Sequence, residues 1–240
     1  MSKVLLVARR ELGATVRSPL GSAIVAGTLL MDGILFYWQA LTEKLLSADV
    51  LSKFFYYSSG PTMIACLILA MRLVAEERQT GTFTLLSTAP IRDAEVVVGK
   101  FLSAFCVLVA MTALTAYMPA LIFVNGKVSV GHIVVGYVGL LLLGSATLAI
   151  GLFASSLARS QVLAAILGAA FLAPLLMLWV LAKAVDPPLN TFLAELSFHH
   201  LNFLPFQQGI LELDRVAYYL AVTYFFLLAA TKTLEARRWR

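Results

Sequence analysis

Residues 76–100 read EERQTGTFTLLSTAPIRDAEVVVGK and stand between two apolar runs, 61–74 and 101–124. The segment opens on Glu76, Glu77 and Arg78, meets a glycine at Gly81, and carries a short apolar pattern through Leu85 and Leu86 before Ala89 and Pro90. A charged, helix-broken island between runs of spanning length reads as a loop joining two membrane helices. Its flanks set the fold class, and the island itself is where a soluble partner would grip the chain.

The rest of the chain agrees with that reading. Of 240 residues, 60 % are hydrophobic and only 13 % charged, with mean hydropathy +0.89. Soluble domains carry about 45–50 % apolar and about 25 % charged residues, so much of this surface must be solvated by lipid. Apolar runs occur at 20–41, 55–74, 101–124, 133–157, 162–181 and 216–234. They predict an all-α integral membrane fold, one domain of six transmembrane helices, with no room for a soluble catalytic domain. Six spans put both termini on one side. Lys3, Arg9, Arg10, Arg17, Arg72, Arg78, Arg92, Lys100, Arg159, Lys232, Arg237, Arg238 and Arg240 share that side, against Lys44, Lys53, Lys127, Lys183 and Arg215 on the other. By the positive-inside rule both termini are expected in the cytoplasm. The basic excess, net +5, is thus a topology signal and does not indicate nucleic-acid binding. The first twenty residues carry Lys3, Arg9, Glu11 and Arg17 and show no cleavable signal peptide.

Residues 1–18 repeat Leu5, Ala8, Leu12 and Val16 at helical spacing, with the basic residues mostly off that stripe. This predicts an interfacial helix touching anionic headgroups, turned by Ser18-Pro19 into the first span. Asp32 lies inside that span. An intramembrane carboxylate is costly and faces protein or water; it would line a path, meet a partner subunit, or bond a neighbouring helix. Pro119 and Pro174 mark tolerable kinks. Gly136, Gly139, Gly144 and Gly151, with Ser145, Ser155 and Ser156, allow close helix approach within or between subunits. Cys66 and Cys106 read as buried small hydrophobes. The extracytoplasmic segment 183–215 is too apolar for a free loop and predicts short outer-leaflet helices.

Within 76–92, Gly81 ends one helix and Thr82 can cap another through Leu85 and Leu86, stopped at Pro90. A short amphipathic helix bracketed by charge suits a groove on a soluble protein. The plainer reading is a solvated loop.

These residues resemble a known family. EER, GT, LL, API and GKFL, in that order over 76–102, are similar to the cytoplasmic loop of ABC-2 type transporter permeases. GLFASSLARSQVLAA at 151–165 is similar to the end of their fourth span. FQQGILELDRVAYYL and the terminal EARRWR, within 206–240, resemble the gliding-motility and multicopper-enzyme-maturation branch. The resemblance runs over essentially the whole chain; Asp32 is not part of it. It implies the permease subunit of an exporter in a bacterial-type cytoplasmic (inner) membrane. ATP and Mg would be bound by a separate ABC ATPase subunit, and this chain would hold no cofactor. Residues 82–90 would be the coupling helix and 1–18 the elbow helix. The ATPase-coupling interface would comprise Glu76, Glu77, Arg78, Gly81, Thr82, Leu85, Leu86 and Pro90, with Asp32 at the path or dimer interface. A second permease subunit, identical or related, and membrane lipid complete the expected partners, along with an extracytoplasmic or accessory membrane protein. Consistent with this division of labour, the chain has no G-x-x-x-x-G-K-[ST] phosphate loop, since Gly99-Lys100 lacks the earlier glycine.

Other classes fit less well. Glu76-Glu77 and His199-His200 evoke membrane proteases with paired glutamates and histidines, but the expected topology puts the pairs on opposite sides. A secondary transporter calls for paired intramembrane charges and repeated halves, and the sequence offers Asp32 alone. A membrane subunit that transmits force without passing a substrate would share every feature above.

Overall fold

The computed structural model describes residues 3–41, 46–81, 91–126 and 128–238. Among them there is no strand. Six segments are long and apolar enough to cross a membrane: Pro19–Trp38, Ser47–Gln79, Asp93–Val124, Val130–Leu157, Gln161–Lys183 and Leu213–Ala236. The helices are α1 (Lys3–Arg17), α2 (Pro19–Leu35, continued by a π-helical turn Phe36–Leu41), α3 (Ser47–Arg72), α4 (Ala75–Gln79), α5 (Asp93–Leu114) and α6 (Tyr117–Asn125). They continue as α7 (Val130–Leu157), α8 (Gln161–Lys183), α9 (Leu189–Glu195), α10 (His200–Gln207) and α11 (Leu213–Arg238).

Local chemistry explains several boundaries. The Ser129 hydroxyl caps α7 by accepting from the Gly131 N–H, and Ser160 caps α8 by accepting from Leu163. Glu95 reaches back to the Arg92 N–H at the start of α5. The third span breaks at Thr115-Ala116, where bonds tighten to Thr115 N–H with Thr112 and Ala116 N–H with Ala113. Pro119, which cannot donate, follows at once. α3 begins at Ser47, eight residues before the run read from hydropathy, because Phe54 and Phe55 are already part of the packed core.

α7 is the axis of the bundle. Its glycines are spaced where other helices press against it: a Cβ at Gly136 would lie 2.2 Å from Phe55, at Gly139 2.4 Å from Phe206, at Gly144 2.6 Å from Leu108, and at Gly151 2.5 Å from Ala70. The small-residue row therefore serves packing within one chain. Lipid-facing helices show the opposite balance, with α8 and α11 largely outward. Cys66 is buried as expected, whereas Cys106 faces outward from α5; which side of a span faces protein depends on neighbours that a single apolar run does not name.

The segment between α8 and α11 folds back into the bundle. Phe198, Phe203 and Phe206 are fully buried, which accounts for its apolar character. Its backbone is held by Phe198 N–H to the Leu175 carbonyl (3.0 Å), Tyr219 Oη to the Phe198 carbonyl (2.9 Å) and Tyr218 Oη to the Leu196 carbonyl (2.8 Å). Arg215, at the start of α11, binds Glu195, Glu212 and Asn202 and ties the segment's two short helices to the last span. The histidines are structural: His132 Nε2 meets the Gln207 carbonyl (2.8 Å), His199 Nε2 meets Ser59 Oγ (2.7 Å), and His200 stacks on Trp179.

Two outcomes follow from this packing. Replacing Gly139 with Val should cost about 1–3 kcal/mol by overpacking against Phe206, read as a lower thermal midpoint in detergent. Burial, and then the charge of neighbouring His200, lower the His199 pKa from 6.5 to about 4. The folded state thus holds the neutral ring, so stability is complete above about pH 6.5 and declines as pH falls from there toward 4. Thermal midpoints across that window should fall less steeply in His199→Gln.

Candidate functional site

At the opposite end of α3 from His199, the chain turns a corner between α3 and α4, and the corner is built on a serine. Ser155 of α7 is completely buried. Its Oγ accepts from the Val74 N–H (3.1 Å) and the Ala75 N–H (2.9 Å) and donates to the Met71 carbonyl (3.0 Å). One hydroxyl therefore satisfies three backbone groups that the helix break would leave open.

This corner aims the charges of α4 in three directions. Glu76 takes a two-pronged bond from Arg72, Nε to Oε2 at 2.8 Å and Nη2 to Oε1 at 3.0 Å. The third arm of Arg72, Nη1, donates to Ser18 Oγ at 3.0 Å. Ser18 stands at the N-cap position of α2 but makes no cap bond; its hydroxyl serves the Arg72 fork instead. Arg78 Nη1 donates to the Ala158 carbonyl at the end of α7 (3.0 Å). Gln79 Oε1 accepts from the Gln161 N–H at the start of α8 (3.4 Å).

Glu77 turns inward. Its Oε1 lies 2.9 Å from Lys100 Nζ, and Glu11 Oε1 lies 3.2 Å from the same ammonium. Lys100 is 1 % exposed, Glu77 15 % and Glu11 17 %. One buried cation thus joins α1, α4 and α5. Gly99 makes the approach feasible: a Cβ there would lie 2.8 Å from Val7 of α1, so α1 seats directly on α5. The face of α1 turned to the protein carries Val7, Ala8 and Glu11, while Leu5, Leu6 and Val16 face outward. The stripe read from sequence is therefore only partly the buried one, because α1 is apolar on two sides.

Of the expected coupling residues, the structure brings Glu76, Glu77 and Arg78 into this cluster and places Gly81 just beyond it with φ +74°, a left-handed conformation that glycine adopts without a Cβ penalty. Thr82, Leu85, Leu86 and Pro90 lie outside the described residues. Asp32 is elsewhere: its side chain is 2 % exposed in the single chain and sits in the bundle interior rather than on a free surface. In the sequence Lys100 counts only as one of the basic residues on the side of the termini and Ser155 as a small packing residue, and Glu11 has no partner in view. A lysine between VVVG and FLSAF, with a full apolar turn on each side, is the signal that points to a buried partner.

The cluster lines an open pocket of about 240 Å³ bounded by Glu11, Thr15, Arg72, Glu76, Glu77 and Thr80, among others. Among the described residues no group of His, Cys, Asp and Glu could hold a metal ion. The histidine pair is remote: thirteen residues of helix, about 20 Å, separate Ser59 from Arg72. Glu76-Glu77 and His199-His200 therefore cannot share a reaction centre. What the cluster does in this packing is tie α1, α3, α4, α5 and the end of α7 to one another.

The model of the ABC-2 family transporter proteins matches residues 6–231. The chain belongs to that family. No curated protein sequence matches it. The match runs from α1 into α11 and includes every residue of the charge cluster. The ABC-2 permease is a multi-pass membrane subunit of an ABC transporter, not itself a catalyst, and permeases of this family generally work with an ABC ATPase and a second permease subunit.

Lys100→Met in the ABC-2 permease should cost about 3–5 kcal/mol, because it leaves two carboxylates facing each other in a partly buried site. Combining it with Glu11→Gln and Glu77→Gln should restore most of that loss. Ser155→Ala should cost about 1–3 kcal/mol by stripping two N–H groups of their acceptor. Chemical or thermal unfolding in detergent measures each.

Proposed function

We propose that the ABC-2 permease is the membrane subunit of an exporter in a bacterial cytoplasmic membrane, with both termini cytoplasmic. A separate ABC ATPase subunit drives it, and ATP and Mg bind there. Two permease subunits, identical or related, form the path. Residues 82–90 are the coupling helix seated on the ATPase, and α1 is the elbow helix. The resemblance of 206–240 to the gliding-motility and multicopper-enzyme-maturation branch supports reading it as a member of that subfamily.

The observation that carries this reading is the ammonium of Lys100 between Glu77 and Glu11. Glu77 stands five residues before position 82, so a push on the coupling segment arrives first at α4. There it meets a buried ion pair rather than a flexible hinge. Moving Glu77 away from Lys100 would strand a charge, so α4, α5 and α1 move together. Arg72, bound to both Glu76 and Ser18, gives α3 and the α1–α2 corner a second tie. Arg78 and Gln79 extend the tie to the α7–α8 junction. ATP binding and hydrolysis then need only favour one of two packings of the permease pair.

Affinity purification of the tagged permease in mild detergent tests the reading. A soluble protein with a phosphate loop should co-purify, and its ATPase activity should rise on reconstitution with the permease. Leu85→Asp should weaken the association. Glu77→Lys should leave association intact and depress the stimulation, because it reverses the charge that meets Lys100. A permease that purifies alone, or stimulation untouched in both variants, would overturn the assignment.

A further inference from the structure

A groove on the flank of the bundle has no part in the charge cluster but begins beside it. It holds about 370 Å³ and runs between α2, from Leu20 to Met31, and α3, from Pro61 to Ile68. Small residues form its floor, Ala23 and Gly27 on α2 and Ala65 on α3. A Cβ at Gly27 would meet no protein atom within 4 Å, so the space beyond that residue belongs to whatever lies outside the chain. Among the described residues that line the groove, only Thr28 carries a hydroxyl, and its proton goes to the Ile24 carbonyl at 2.8 Å. The groove therefore offers hydrocarbon and no free donor.

Its length and its mouth determine what fits. Eleven residues of α2 separate Leu20 from Met31, about 16 Å of helix, against a bilayer hydrocarbon core about 30 Å thick. The groove thus has the depth of one leaflet, and it starts at the level of the α1–α2 corner. On α3, Arg72 follows Ile64 and Ile68 at four-residue steps and continues their row past the end of the groove. There its Nη1 donates to Ser18 Oγ at 3.0 Å. Ser18 and Glu76 take three of the five Arg72 N–H groups, and two remain for an oxyanion. Arg17 directly precedes Ser18, and Arg10 borders the same open pocket as Arg72. With Arg9, Leu6 and Val16 they form the exposed face of α1. Among the described residues, no carboxylate lies in ion-pair range of Arg9, Arg10 or Arg17. The carboxylates of the neighbouring cluster are already answered, Glu76 by Arg72, and Glu11 and Glu77 by Lys100. The mouth of the groove is left with surplus positive charge.

We infer that the groove and the corner beside it form a binding site for one anionic phospholipid of the adjoining leaflet. One acyl chain lies along Gly27 between α2 and α3, and the phosphate meets Arg10, Arg17 and the remaining N–H groups of Arg72. Arginine forks match phosphate oxygens in geometry as well as charge, and basic clusters at a membrane surface draw anionic headgroups. A second copy of the chain is the poorer occupant. Paired about a two-fold axis on this face, it would bring its own Arg17 toward the first, like charge against like. A spanning helix would also call for a groove that crosses both leaflets. The site needs α1 at a membrane surface, as read above, and does not depend on the ATPase partner. It places lipid charge beside the side chain that joins α3 to α4 and to the α1–α2 corner.

Native mass spectrometry tests this on the full-length permease released from nanodiscs of equal parts phosphatidylglycerol and phosphatidylcholine. The permease should retain phosphatidylglycerol in several-fold preference over phosphatidylcholine. Arg10→Gln combined with Arg17→Gln should abolish the preference and leave a lipid bound. Gly27→Leu, whose side chain enters open space, should reduce retention of both lipids. The arginine variant is altered only at exposed positions, so it keeps the test decisive whatever Gly27→Leu does to packing. Equal retention of the two lipids by the unaltered permease would overturn the proposal, as would a preference that survives in the arginine variant. A dimer lost in Gly27→Leu with lipid retention unchanged would also overturn it, and would mark the groove as a contact between copies.

Discussion

A lysine ammonium in the interior of an apolar bundle is tolerable only beside carboxylates, because the cost of removing it from water exceeds what any neutral hydrogen bond returns. Lys100 meets that condition through Glu11 and Glu77, which both precede it in sequence and come from two different helices, α1 and α4. The position of α1 on α5, the angle of α4 and the depth at which the third span begins are all bound to this one charge. Glycine at position 99 is the steric half of the same constraint, since a side chain there would lift α1 away.

Apolar packing imposes a second constraint. α7 runs through the middle of the bundle, and its glycines admit Phe55, Phe206, Leu108 and Ala70 along successive turns. In lipid there is no hydrophobic drive to press one apolar helix on another, so close van der Waals fit has to supply it. The aromatic residues of the segment after α8 belong to that fit. Phe203 and Phe206 lodge against α7, and Tyr219 of α11 closes over Phe198. The same helix ends in Ser155, which supports the α3–α4 corner. The α3–α4 corner is thus bound to a helix in contact with nearly every other span.

The polar groups of the interior fall into two kinds. Thr28, Ser103, Thr112, Thr147 and Thr231 each return a proton to a carbonyl three or four residues back in their own helix, which removes the cost of burying a hydroxyl and leaves no valence for another helix. Asp32 has no such local outlet.

Hydrophobic runs are a one-dimensional property, and so the six spans, the all-helical class and the charged island at 76–100 were determined by the sequence alone. Family membership was equally legible, since the loop, the end of the fourth span and the C-terminal stretch carry it as linear strings. That the segment between α8 and α11 forms short helices rather than a free loop was legible in its apolar composition, whereas the burial of Phe198, Phe203 and Phe206 within the bundle was not. Pairing is a three-dimensional property, and it was not legible. Glu11 lies 89 residues from Lys100, and nothing local to either names the other. Ser155 looked like one more small residue on a helix until the folded chain set its hydroxyl under the α3–α4 corner. Ser18 has the sequence of a helix cap and is taken instead by Arg72, because a charged donor outbids a neutral backbone N–H for the same oxygen. Which face of α1 or α5 meets protein depended on the neighbours that packing supplied. Those neighbours are fixed only when the helices close on one another.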